Sequence, residues 1–315
     1  MKLKLIALAA MLAAGSANAA IDTGLLSGNG ELMLNLKWKD AALADGNQSV
    51  SAAFDLGVTM NDAAAWNGVA GFTQSWDLSS YGNAFSTFTG AAVMANAEMN
   101  VIALDGTGTN PGDTRILSTT SGISATGTGL SLLASSIPTN GNFNDVFGNV
   151  TVTNFLVAVN SSASHASVAN GASNADATSG NAWFDNGTGM DKFANLSGFD
   201  STNKFAGSYV AGTGILSGQA KALPFYMVIA SSTDPFAKAT MTPFGYDLDG
   251  DGVIEFDNNA AVAGGSNEYG LWTLQGSTLT FANPAAAVPE AETYAMMLAG
   301  LGLVGFMVRR RRNAI

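Results

Sequence analysis

Apolar and polar residues alternate in short stretches along most of this chain. Between Glu31 and Lys39, Leu32, Leu34, Leu36 and Trp38 alternate with Met33, Asn35, Lys37 and Lys39. A period of two puts successive side chains on opposite sides of a strand, so the first set predicts a buried face and the second a mostly wet one. Phe54, Leu56, Val58 and Met60 repeat the period, and Asp45-Gly46 between the two runs predicts a hairpin with a long loop. Asn100 to Leu104 and Phe225 to Ala230 read as further strands. Thr151 to Val159, almost continuously apolar through Phe155-Leu156-Val157, reads as a central strand. Leu271 to Leu274 and Thr278 to Phe281 flank Gln275-Gly276-Ser277, where Gly-Ser suits a type II′ turn, so a last hairpin is expected to close the sheet.

Helical spacing is sparse. Phe85 and Phe88 suggest one short helix, and Leu130 to Leu133 a weaker one. Ser, Ala, Asn and Gly dominate residues 160–189, which read as a long loop or a loose insertion. No fixed-period repeat points to a solenoid or propeller. The fold class that follows is mainly β: a β-sandwich or jelly-roll-like body over residues 20–281 with few short helices.

The two ends break this pattern. Lys2 and Lys4, the apolar stretch Leu5 to Ala14 and the small residues Ala17-Asn18-Ala19 form the charge, hydrophobe and cleavage-site order of a signal peptide, here a signal helix over residues 1–19. The mature chain then begins at Ala20 or Ile21, having used the general secretion machinery. Residues 282–287 form a flexible linker, after which come Val288-Pro289-Glu290-Ala291, the apolar run Tyr294 to Val308, and Arg309, Arg310, Arg311 and Arg312. The run has 15 residues, short of the roughly 20 that cross a bilayer comfortably. It reads as a thin single membrane helix whose four arginines stay cytoplasmic.

This tail, residues 288–315, resembles the PEP-CTERM sorting signal. Val288-Pro289-Glu290 and Tyr294-Ala295-Met296-Met297-Leu298-Ala299-Gly300-Leu301-Gly302-Leu303 carry the resemblance, and Ala291 stands where that family usually has a second proline. The resemblance implies handling by a membrane enzyme of the exosortase type and transient inner-membrane anchoring. Release to the cell surface or extracellular space follows, in a bacterium with an outer membrane. It covers only the end of the chain and leaves the chemistry of the body open.

Charge narrows that chemistry. Of the 315 residues, the body from 20 to 288 holds seven basic residues against 22 acidic ones, a net charge of −15. Nucleic acid is excluded as a partner, because neutralising phosphates takes clustered Lys and Arg. The chain has no cysteine and one histidine, so classical zinc sites lack ligands. Divalent cations and neutral or cationic surfaces are better matched.

One segment has the spacing of a cation site. Asp247-Leu248-Asp249-Gly250-Asp251-Gly252-Val253-Ile254-Glu255-Phe256-Asp257-Asn258 resembles the calcium loop of EF-hand and dockerin-like modules. Asp247, Asp249 and Asp251 stand at positions 1, 3 and 5, Gly252 at the sharp turn at 6, and Val253 at 7, where a backbone carbonyl is used. Asn258 departs from the glutamate expected at 12, with Glu255 and Asp257 as stand-ins. The resemblance implies calcium bound weakly, at about 10⁻⁴ to 10⁻³ M. The alternative is an acidic, Gly-rich turn that merely stays solvated.

Other candidates carry less. His165 sits in the low-complexity stretch and reads as a solvated loop residue. Trp38, Trp66, Trp76, Trp183 and Trp272 read mainly as core. Trp183-Phe184 is the pair with a glycan-contact reading. No nucleophile elbow, phosphate loop or dinucleotide fingerprint occurs, and none of Glu31, Glu98, Glu255 and Glu268 is singled out by spacing. The expectation is a non-enzymatic surface or extracellular-matrix protein associated with exopolysaccharide or biofilm. A secreted carbohydrate-binding or carbohydrate-active protein is the second reading.

Overall fold

The computed structural model describes residues 20–22, 24, 27–39, 49–86, 98–106, 114–119, 123–126, 129–132, 139–141, 155–161, 170–176, 221–254, 256–257, 266–286 and 291–312. The chain divides into two units, Met1–Pro284 and Ala285–Ile315.

The first unit is mainly β. Its strands are β1 (Glu31–Lys39), β2 (Ser49–Thr59), β3 (Thr73–Asp77), β4 (Glu98–Asp105), β5 (Arg115–Thr119), β6 (Ile123–Thr126), β7 (Gly129–Leu132), β8 (Ala172–Asp176), β9 (Lys221–Ile229), β10 (Thr240–Pro243), β11 (Phe256–Asp257), β12 (Ser266–Asn267), β13 (Leu271–Gln275) and β14 (Thr278–Ala282). Ten of them make one sheet in the order β3-β14-β13-β9-β5-β4-β1-β2-β8, with β10 also on β9, and β12-β11-β7-β6 make a smaller one. Every ladder among them is antiparallel.

The large sheet curls until its ends nearly meet, so the two layers expected of a sandwich are two halves of one sheet. Trp76 on β3 donates its indole N–H to the carbonyl of Leu56 on β2 at 2.9 Å. Tyr81, in the 3₁₀ segment Leu78–Ala84 after β3, donates its hydroxyl to the carbonyl of Asp55 at 2.8 Å. Side chains thus close the seam where a ladder does not.

Inside lies one core built by the alternation. Leu32, Leu34 and Leu36 of β1 and Phe54, Leu56 and Val58 of β2 all belong to it. It is rich in rings: Trp76 stacks on Trp272 at 5.4 Å, Trp66 on Phe72 at 5.1 Å, and Trp272 packs on Phe281 at 5.3 Å. The two-residue turn of the last hairpin carries positive φ at Gly276 and not at Ser277, the type II′ pattern.

Several expectations are corrected. The second face of β1 is not wet at Met33 and Asn35: Met33 is 2% exposed and Asn35 1%, the latter donating to Asn100 Oδ1 at 2.8 Å. Of the expected strand Thr151 to Val159, residues 151–154 lie outside the described residues and Phe155–Asn160 form helix α2, preceded in the chain by the short helix α1 (Met60–Ala64). The apolar run was ambiguous in period, and Leu156 and Val159 are buried at i and i+3, one side of a helix. Helix α2 is tied to the segment before β1, Ile21 N–H donating to Asn160 Oδ1 at 2.9 Å and Asn160 Nδ2 to the Ile21 carbonyl at 3.1 Å. Leu130 to Leu132 is no helix either, since Gly129–Leu132 is β7, paired with β6 and β11, and Leu133 lies outside the described residues. Phe85 caps the 3₁₀ segment, and Phe88 lies outside the described residues. Within the supposed loose insertion 160–189, Ala172–Asp176 is a sheet strand on β2. The last hairpin does not close the sheet, because β14 pairs onward with β3.

The second unit holds helix α3, Ala291–Arg312, of 22 residues. Met296, Met297, Leu298, Leu301, Leu303, Val304, Phe306 and Met307 are all exposed on it. Among the described residues no helix is long and apolar enough to cross a membrane. Residues 1–19 and 313–315 lie outside the described residues.

Candidate functional site

The acidic loop leaves the large sheet after β10 and is held by its own carboxylates. Asp247 accepts the amides of Gly250 at 2.6 Å and Gly252 at 2.8 Å, Asp249 that of Asp251 at 3.1 Å, and Asp251 that of Val253 at 2.8 Å. Gly250 and Gly252 take φ of 83° and 90°, the left-handed conformation that glycine reaches without strain. The Gly252 amide, then that of Gly250, holds the Asp247 carboxyl below the usual carboxylate range.

The third acid of the group comes from outside the loop. Glu268, between β12 and the bridge that pairs Gly245 with Tyr269, is 1% exposed. Its Oε1 accepts the Leu248 amide at 2.8 Å and its backbone carbonyl the Tyr246 amide at 2.9 Å. Carboxylate oxygens of Asp247, Asp249 and Glu268 all lie within 4.8 Å of one another. Oxygens that already accept an N–H keep further lone pairs, so the three form a hard-oxygen set of the type that suits calcium.

Of the sequence-predicted ligands, Asp247 and Asp249 are brought together and Asp251 is turned to the Val253 amide. The Val253 side chain is exposed, and Asp257 lies on β11 opposite Ser266 and Gly129. Glu255 and Asn258 lie outside the described residues, as do Trp183, Phe184 and His165. Glu268 was missed because it lies beyond the 12-residue window in which such a loop is read. The only signal for it was its being one of four glutamates in the body.

Trp66, Trp76 and Trp272 belong to or pack against the core. The body therefore spends these three rings on its own packing rather than on a stacking platform.

At the other end, Val288, Pro289 and Glu290 lie outside the described residues; Arg309, Arg310, Arg311 and Arg312 end α3, with Arg309 exposed. Helix α3 thus joins an apolar stretch to a basic end, the arrangement of a sorting tail, and the class this points to is a sorted, exported protein. Residues 287–312 match the model of the PEP-CTERM protein-sorting motif. The chain carries this motif, which marks it for export and cell-surface sorting by an exosortase-type system. No curated protein and no solved structure matches the chain.

Proposed function

We propose that this is a non-catalytic component of the bacterial surface or extracellular polysaccharide matrix, delivered by the secretion machinery and then processed at Pro289-Glu290 by an exosortase-type enzyme. During processing α3 anchors the chain transiently in the inner membrane. The observation that carries the reading is the sorting-motif match over residues 287–312. The acidic, cysteine-free composition of the body is compatible with it. Mass spectrometry of secreted and membrane fractions from the native cell tests it. A mature chain starting at Ala20 or Ile21 and lacking the residues after Glu290 is expected, while a tail retained in every fraction would overturn it.

Calcium is proposed as the ion that staples the acidic loop, on the support of the three clustered carboxylates. At free calcium about tenfold above Kd, linkage gives about 1.4 kcal/mol, or a Tm rise of roughly 3–6 °C for a chain of this size. Asp249→Ala and Glu268→Gln should each remove that rise in differential scanning calorimetry. Identical melts in calcium and in chelator would sink the proposal.

A further inference from the structure

Asp55 and Glu31 are carboxyl groups folded into the sheet, at 0% and 5% exposure. Leu32 and Leu34 of β1 and Phe54, Leu56 and Val58 of β2 point into the core, so the residues between them occupy the opposite face. The β1–β2 register passes from Glu31↔Thr59 to Met33↔Asp55 with an irregularity between them. Glu31 and Asp55 share that outer face on either side of the irregularity, near enough for the one carboxyl to repel the other. Asp55 Oδ1 accepts the Gly57 amide at 2.8 Å, whereas Oδ2 is buried with no hydrogen-bond partner among the described residues. A buried carboxylate in that state is costly; a neutral carboxyl is much less so.

The same residue stands at the seam of the sheet. Its amide donates to the Gly171 carbonyl at 3.0 Å, at the entry to β8, and its carbonyl accepts the Tyr81 hydroxyl at 2.8 Å. The next carbonyl, of Leu56, takes the Trp76 indole. Two links across the seam and the start of the β2–β8 ladder therefore converge on two consecutive residues.

Among the described residues, the titratable groups facing Asp55 add only negative charge or none. They are Glu31 from β1, Tyr81 from the 3₁₀ segment, and, behind Glu31, Asp22, whose amide donates to Glu31 Oε2 at 2.7 Å. Asn170 and Gly171 before β8 are neutral. Arg115, ion-paired with Asp105 at 2.7 Å, has the parity of the core residue Leu117 and so lies on the other face. Burial, then repulsion by Glu31, pushes the Asp55 carboxyl up to about 7 against the weaker pull of the Gly57 amide.

We propose that Asp55 is a proton-operated latch on the seam: protonated, it lets β8, Tyr81 and Trp76 close the sheet on β2, and ionised, it loosens them. When the seam opens, Asp55 meets water and returns toward its ordinary value of 3.8. Below that pH both states hold the proton and the latch is fully stabilising. From there up to about 7 opening releases a proton, so it becomes easier by up to about tenfold per pH unit, and above about 7 the loss levels off. The direction is opposite to that of Asp247, whose lowered value gives stability that is lost as pH falls.

Amide hydrogen exchange on the intact chain between about pH 5 and about pH 8, corrected for intrinsic rates, tests this. Opening at Asp55 and along Ala172–Asp176 should rise roughly a hundredfold up to about pH 7 and then stay level. Asp55→Asn, which mimics the neutral acid, should be flat over the same range, and Glu31→Gln should keep the rise with a lower midpoint. Seam exchange that follows the rest of the sheet, or an Asp55→Asn chain that keeps the same rise, overturns the proposal. Should Asp55→Asn fail to fold, the carboxyl ¹³C shift of Asp55 in the wild type decides, since a midpoint near 4 also overturns it.

Discussion

Replacing Trp272 by alanine should cost about 3–5 kcal/mol, the range for deleting a large buried ring. Trp272 is 0% exposed on β13, paired with Leu223 on one side and Phe281 on the other, inside the large sheet. Its ring meets Trp76, Phe281, Phe225 and Trp66 at centroid distances of 5.4, 5.3, 5.5 and 6.2 Å. Truncation leaves a hole bordered from several strands that no single neighbour can fill, so the cavity cost adds to the lost burial. The native side chain carries a liability as well, because its indole N–H is buried without a partner among the described residues. Trp272→Phe keeps most of the contacts and removes that donor, so it should cost less than half as much. Phe236, 86% exposed, is the control, with Phe236→Ala expected within about 0.5 kcal/mol. Urea unfolding of the three variants checks the ranking, and a Trp272→Ala loss below about 1.5 kcal/mol would mean the ring cluster does not organise the fold.

The parts of the fold legible in the sequence were those specified by local alternation. Leu32, Leu34 and Leu36 face the core as their period requires, and the Gly276-Ser277 turn has the conformation its residues favour. The outer face of β1 could not be read the same way, since Met33 and Asn35 are buried there although a polar residue alternating with apolar ones signals an exposed face, and Asn35 finds its partner on β4. Short apolar runs misled in both directions: Phe155–Asn160 is a helix and Gly129–Leu132 a strand, and neither is long enough for period to decide. β8 was hidden because Ala172–Asp176 has the composition of a linker and becomes a strand through pairing with β2. In the acidic loop, Asp247 and Asp249 were legible from spacing, whereas Glu268 arrives through the Gly245–Tyr269 bridge, a contact of register rather than of motif.

Replacing Pro289 and Glu290 together by alanine should stop processing, leaving the precursor at full tail mass in the membrane fraction. The folded body should be indifferent to the change. Its last residues are sealed upstream of the motif, where Asn283 Nδ2 donates to the carbonyls of Trp66 at 2.7 Å and Val69 at 3.1 Å. The Asn283 amide donates to Phe72 and the Pro284 carbonyl accepts the Gly71 amide, at 2.9 and 2.7 Å. The melting temperature of a chain ending at Ala287 should therefore match that of the full mature body, which separates a sorting defect from a folding defect. Ala291 gives the complementary test. It is the first residue of α3, the helix position at which proline is tolerated because the N–H it lacks would have no partner in the helix. Ala291→Pro should thus restore the usual sorting pattern without breaking the helix, and processing should be at least as complete as in the wild type. Pulse-chase labelling with mass analysis of both fractions reads all three variants. Release of a normally trimmed chain from the Pro289/Glu290 double variant would mean that the tail is recognised through its helix and basic end alone.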